Sequence, residues 1–87
     1  MSEEHTETTK VVRLRVSADS DPGLLARLLG HFQNINVVPR RIVAEFATTQ
    51  MMHIHIDVSG MSEARLSLLT AKVREWVPVA SAHWHWL

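Results

Sequence analysis

Two groups of side chains in this chain have types and spacings that could do chemistry. The first is four histidines in two pairs, His53 with His55 and His83 with His85, each pair two residues apart. In an extended strand residues i and i+2 point to the same side, so each pair presents two imidazoles in one direction. Four such nitrogens could hold zinc or nickel, and clustered imidazoles titrate near neutral pH. The second group is Ser20-Asp21-Pro22-Gly23-Leu24, a turn directly ahead of an amphipathic segment. Pro22 suits the first position of a helix, and Ser20 or Asp21 can accept from its orphan N–H groups. Gly23 leaves the helix end without a side chain, so a carboxylate or a partner's backbone could approach the free N–H groups and the positive end of the helix dipole. The same glycine could equally serve a tight turn or close packing with no ligand present.

Both groups need elements to position them. Val12, Leu14 and Val16 alternate with Arg13 and Arg15, as in a strand with one buried face. After the turn, Leu25, Leu28, Leu29 and Phe32 recur at helical spacing, and Gln33, Asn34 and Asn36 mark the helix exit. Residues 37–47 form a second extended run with Ile42, Ala44 and Phe46 on one face and Arg41, Val43 and Glu45 on the other. Pro39 puts its start at an edge or a bulge. Thr48-Thr49-Gln50 is short enough for a hairpin turn, although it lacks the glycine or asparagine that tight turns prefer. In the third strand Met52, Ile54, Ile56 and Val58 alternate with Met51, His53, His55 and Asp57. Gly60 breaks that strand and Ser62 caps a second helix with Leu66, Leu69, Val73 and Trp76 on its inner stripe, ended by Pro78. Residues 79–86 close the chain as a fourth strand, with Ala80, Ala82, Trp84 and Trp86 opposing Ser81, His83 and His85.

The order βαββαβ, with one apolar face per strand and one apolar stripe per helix, predicts an α+β, ferredoxin-like fold. Its antiparallel four-stranded sheet carries two helices on one face and has the first and third strands at the centre. The histidine pairs then share the open face, but the first strand stands between them. They lie about 9–10 Å apart, twice the ~4.8 Å strand spacing, with Arg13 and Arg15 in between. That geometry argues against one four-ligand metal site, so His53, His55, His83 and His85 read first as polar residues of a solvated or partner-facing sheet, with a metal site or a pH-dependent interface as the lesser alternatives. Trp84 is expected beneath the helices. Trp86 could pack there or join a sticky surface patch, and Arg40 and Arg41 could guard the second strand's edge or steer a partner.

Composition narrows the classes. The 87 residues are 46% hydrophobic and 21% charged, with zero formal net charge and no cysteine. Disulfides and thiolate-bound metals are excluded, and nothing in the charge balance attracts nucleic acid. RNA-recognition modules of this topology need aromatic side chains on the central strands, where this chain has Arg13, Arg15, Met51, His53 and His55. No nucleophile and base converge with a histidine, and no glycine-rich phosphate cradle appears, so neither an enzyme nor a cofactor site is expected. Residues 1–9 are polar and acidic, unlike a signal peptide, and read as a disordered tail before a single domain at 10–87. No apolar run reaches the roughly 18 residues of a membrane span, so a cytoplasmic protein is expected. A domain this small buries only about 60% of its unfolded surface, which favours self-association or a fixed partner.

The residues resemble a known family, the ACT domains, over about residues 11 to 86. Asp21-Pro22-Gly23-Leu24-Leu25-Ala26-Arg27 with Gly30 and Phe32 looks like the first turn and helix of the small regulatory subunits of acetolactate synthase. Ile54 to Asp57, then Ser67, Leu68, Leu69, Lys72, Val73, Val77 and Val79-Ala80, resemble the compact, single-domain form of that subunit. The resemblance implies a homodimeric, non-catalytic subunit of branched-chain amino-acid biosynthesis. Such a subunit docks on a large thiamine-diphosphate-dependent subunit and activates it, and some members pass on feedback by a branched-chain amino acid. It places the effector between two chains and nominates Ser20, Asp21, Gly23 and Leu24 on the loop of one, with Asn36 on the other wall. Activation without sensing is a version of the same expectation. A stand-alone homodimeric amino-acid sensor with no synthase partner is the alternative.

Overall fold

Alternation along the first strand sets the architecture. The computed structural model describes residues 10–87; the expected tail at 1–9 lies outside them. The elements run β1 (Val11–Asp19), α1 (Leu24–Asn34), β2 (Arg41–Phe46), β3 (Met51–Ser59), α2 (Glu63–Arg74) and β4 (Val79–Trp86). They form one antiparallel sheet in the order β2-β3-β1-β4, the ferredoxin-like arrangement that the pattern predicts. Val12, Leu14, Val16 and Ala18 of β1 and Ile54, Ile56 and Val58 of β3 are buried against Leu24, Leu28 and Phe32 of α1 and Leu66, Leu69 and Val73 of α2.

The helix ends follow local chemistry. Ser62 Oγ accepts from the Arg65 N–H at 3.2 Å and so caps α2. That helix closes at Arg74, ahead of Pro78, with the Glu75 and Trp76 N–H groups donating to the Lys72 and Val73 carbonyls at 3.1 Å. At the end of α1 the Asn36 N–H donates to Gln33 O at 3.1 Å and the Val37 N–H to Phe32 O at 2.9 Å. Asn36 has φ 61°, so it is the left-handed residue of a Schellman turn, a conformation asparagine tolerates better than most.

Four expectations shift. The inner stripe of α1 is Leu24, Leu28 and Phe32, spaced i, i+4 and i+8, while Leu25 is half-buried and Leu29 is 36% exposed. Because the helix starts at Leu24, the turn aims that residue inward and rotates Leu29 outward. On β4, Ser81 stands opposite Ser17 but Val79 opposite Ala18, so Ala80 is the extra residue of a bulge. Val79 therefore packs on the core and Ala80 is exposed. β2 is shorter than the expected run at 37–47, since the chain must first leave the Asn36 turn and pass Pro39. Its helix-side residues Ile42 and Phe46 are exposed because the core elements leave this edge uncovered. The hairpin after it needs no glycine, because Thr48 Oγ1 accepts from the Gln50 and Met51 N–H groups at 3.1 and 3.0 Å. Trp84 is half-buried against the core as expected, and Trp86, more exposed, meets it edge-on at 5.4 Å.

On the open face, Asp57 of β3 is directly opposite Arg13 of β1. The guanidinium donates through Nε to Oδ1 at 2.7 Å and through Nη2 to Oδ2 at 3.0 Å, a bidentate pair. Those hydrogen bonds hold the Asp57 carboxyl below the usual aspartate range, against the opposing effect of burial. A carboxyl whose folded value is depressed stabilises fully above its unfolded value of about 3.9 and loses that contribution as pH falls toward the folded value. Asp57→Asn should therefore melt below the wild type at pH 7, and the two melting curves should converge as pH drops below about 4. A gap that stayed constant to low pH would assign the loss to packing instead.

Candidate functional site

The loop between β1 and α1 is fixed at its base by the Asp19 N–H donating to Pro78 O at 2.8 Å and the Ser20 N–H to Gln50 O at 2.9 Å. These bonds tie it to the ends of β4 and of the β2–β3 hairpin. Within the loop the Gly23 N–H donates to Asp21 Oδ1 at 2.9 Å and the Leu24 N–H to Asp21 O at 3.1 Å. Asp21 thus caps the turn, and the first two N–H groups that could have faced a ligand are used internally. Ser20, Asp21 and Gly23 are exposed, whereas Leu24 is 2% exposed and contributes its side chain to the core.

Gly23 is the informative position. Its backbone lies at φ −87°, ψ −9°, which any residue adopts. An added Cβ would meet nothing nearer than Asp21 Oδ1, at 3.7 Å. Neither the turn nor packing within this chain demands glycine at this position.

Asn36 is exposed but lies at the other end of α1. Eleven helical residues separate the two places by about 16 Å. The structure therefore brings Ser20, Asp21 and Gly23 together and leaves Asn36 apart from them; only a second chain could complete a site using both.

On the open face β1 does stand between the histidine pairs. Arg13 is opposite Asp57 on one side and His85 on the other, and Arg15 is opposite His55 and His83. Burial and then the charges of Arg15 and Arg13 push the His55 imidazole below its ordinary value. Among the described residues no three metal-ligating side chains are grouped to hold an ion. A groove of about 450 Å³ between α1 and α2, lined by Ile35, Met61, Leu68 and Leu69 with His31 and Lys72 at its margin, was not foreseen. It arises from the mutual placement of two helices, and apart from the outward Leu68 no pattern along either helix announces it. Burial and then the charge of Lys72 push His31 below its ordinary value.

The model of the ACT-like domain family matches residues 4–87. The chain belongs to that family. The structure of this ACT-like domain is similar to the C-terminal domain of the MgtC protein from Mycobacterium tuberculosis, at 18% identity and a TM-score of 0.74, covering 93% of this chain and 90% of that one. It is similar also to the ACT domain of GTP pyrophosphokinase from Chlorobium tepidum, at 17% identity and a TM-score of 0.73, covering 88% and 100%. A homoserine dehydrogenase from Thiobacillus denitrificans matches at 19% identity and a TM-score of 0.73, covering 93% of this chain but 18% of the enzyme. No curated protein matches the sequence. At these identities the likeness shows the fold. ACT domains are regulatory, non-catalytic modules, typically ligand-binding. Among the described residues no helix is long and apolar enough to cross a membrane.

In this ACT-like domain Asn36 has a structural duty that can be separated from any binding one. Asn36→Gly keeps the left-handed turn and should leave the unfolding free energy nearly unchanged, while Asn36→Ala should lose about 1 kcal/mol in a denaturant titration. Equal losses in both would show that the side chain, not the backbone conformation, holds the helix end.

Proposed function

We propose that this ACT-like domain is a non-catalytic regulatory subunit that docks on and activates an acetolactate synthase catalytic subunit, with a branched-chain amino acid as its effector. The observation that carries the effector is Gly23, a glycine that its own chain does not need, on an exposed loop beside Ser20. The run Asp21 to Phe32 supports the synthase reading through its resemblance to the small subunits of that enzyme. The effector lies between Ser20, Asp21 and Gly23 of one copy and Asn36 of a second, since one chain keeps these 16 Å or so apart. Leu24 supports that site by anchoring the start of α1 in the core. The edge strand β2 supports a homodimer: among the described residues no strand pairs with its outer backbone groups, and Ile42 and Phe46 beside them are 38% and 68% exposed.

Binding of valine, leucine or isoleucine at 100 times its dissociation constant should stabilise the folded state by ~2.7 kcal/mol, raising Tm by roughly 10 °C or more for a domain of this size. Gly23→Ala should fold with stability changed by less than about 1 kcal/mol, because the site accepts a Cβ, and should lose most of that shift. A flat response to all three amino acids would sink the effector while leaving docking intact. An undiminished shift in the variant would move the site away from this loop.

A further inference from the structure

The two arginines on the open face of β1 are in opposite circumstances. Arg13 is held by Asp57 on β3, and Arg41 of β2 stands across the same carboxylate, so that row places an anion between two cations. One step along the strand the row reads Val43, His55, Arg15, His83. There the place that Asp57 fills for Arg13 is taken by an imidazole, and the other neighbour is an imidazole as well. Arg15 is exposed and, among the described residues, has no ion-pair partner. We propose that this row is a binding site for a phosphate-type dianion, with the Arg15 guanidinium at its centre and the His55 and His83 imidazoles donating from either side.

The geometry selects the class of ligand. Residues directly opposite on adjacent strands have Cβ atoms about 4.5–5.5 Å apart, so the three donors stand in one row with Arg15 between the two imidazoles. A planar carboxylate satisfies one guanidinium edge, as Asp57 does for Arg13. A tetrahedral oxyanion has further oxygens for the imidazoles on both sides. Even a neutral imidazole donates one N–H, so the site exists at pH 8 and strengthens on protonation.

The charged neighbours on this face fix the sign of the pH dependence. β3 adds His53 and Asp57, the latter engaged by Arg13; β2 adds Arg41 and Glu45, which lies opposite His53; β4 adds His85. The helices pack on the other face. A dianion over Arg15 offsets the positive charge that, after burial, disfavours protonation of His55. Binding and protonation of His55 therefore promote each other, by at most about tenfold in affinity per pH unit.

Imidazole NMR spectra during titration with sodium sulfate and with inorganic phosphate test the site, with sodium chloride at matched ionic strength as control. Sulfate remains a dianion across the range, so its affinity should rise several-fold from pH 8 to pH 6. The His55 and His83 signals should saturate together while those of His53 and His85 move less. Arg15→Gln, a substitution at an exposed position, should leave Tm unchanged and weaken binding at least tenfold. Equal changes with chloride, undiminished binding by Arg15→Gln, or a pH-independent sulfate affinity would each overturn the proposal. Methyl phosphate distinguishes the sources of the ligand. Binding tighter than inorganic phosphate supports a site for phosphate esters whose organic part lies toward Val43, and equal binding supports a site for the free oxyanion.

Discussion

The two-sided pairing of β1 is the constraint on which the rest of the molecule depends. Nine residues of this strand stand opposite residues of β3 on one edge and most of them opposite residues of β4 on the other, so its alternation is imposed on both neighbours. A slip of one residue would turn Arg13 and Arg15 into the core and Leu14 and Val16 out of it. The bidentate bond from Arg13 to Asp57 marks the correct register from the polar side, where the apolar residues cannot. It is also a specific cross-strand contact between two central strands, which a shifted pairing would lose.

From that register the positions of the functional groups follow. The end of β1 delivers Ser20 and Asp21 to the loop, where anchors from Gln50 and Pro78 hold the start of α1 beside the hairpin and the end of the β4 connection. The far end of α1 is set by the left-handed Asn36, which redirects the chain to an edge strand that the core elements leave open. Among the described residues the domain thus presents a loop with open space beside Gly23, an edge strand with no outer partner, and an open face with Arg13 paired and Arg15 not.

Most of this architecture was legible in the sequence, for a physical reason. Period-two alternation in Val12 to Val16 and Met52 to Val58 and the stripe Leu66, Leu69, Val73, Trp76 are direct consequences of burial, and burial is what the residue types record. The misreadings fall where the answer depends on two segments at once. Leu29 and Leu24 compete for the inner stripe of α1, and the point at which the turn releases the helix decides between them. Ala80 leaves the core face because of a bulge defined only against Ser17 and Ala18 of another strand. The exposure of Ile42 and Phe46 reflects where the helices lie, not the composition of β2. At the candidate site the loop was visible as Asp21-Pro22-Gly23, but the internal use of its first N–H groups and the open space at Gly23 are properties of three dimensions.

The proposed docking of this ACT-like domain on an enzyme can be tested in the cell that makes it. The most direct measurement is to tag the chain in its native host, purify it through gel filtration, and identify what stays bound by mass spectrometry. Stoichiometric recovery of a large thiamine-diphosphate-dependent synthase subunit, whose activity falls when the domain is stripped away and returns when it is added back, is the predicted result. A homodimer that elutes without any catalytic subunit, and that leaves the activity of the purified synthase unchanged, would contradict it.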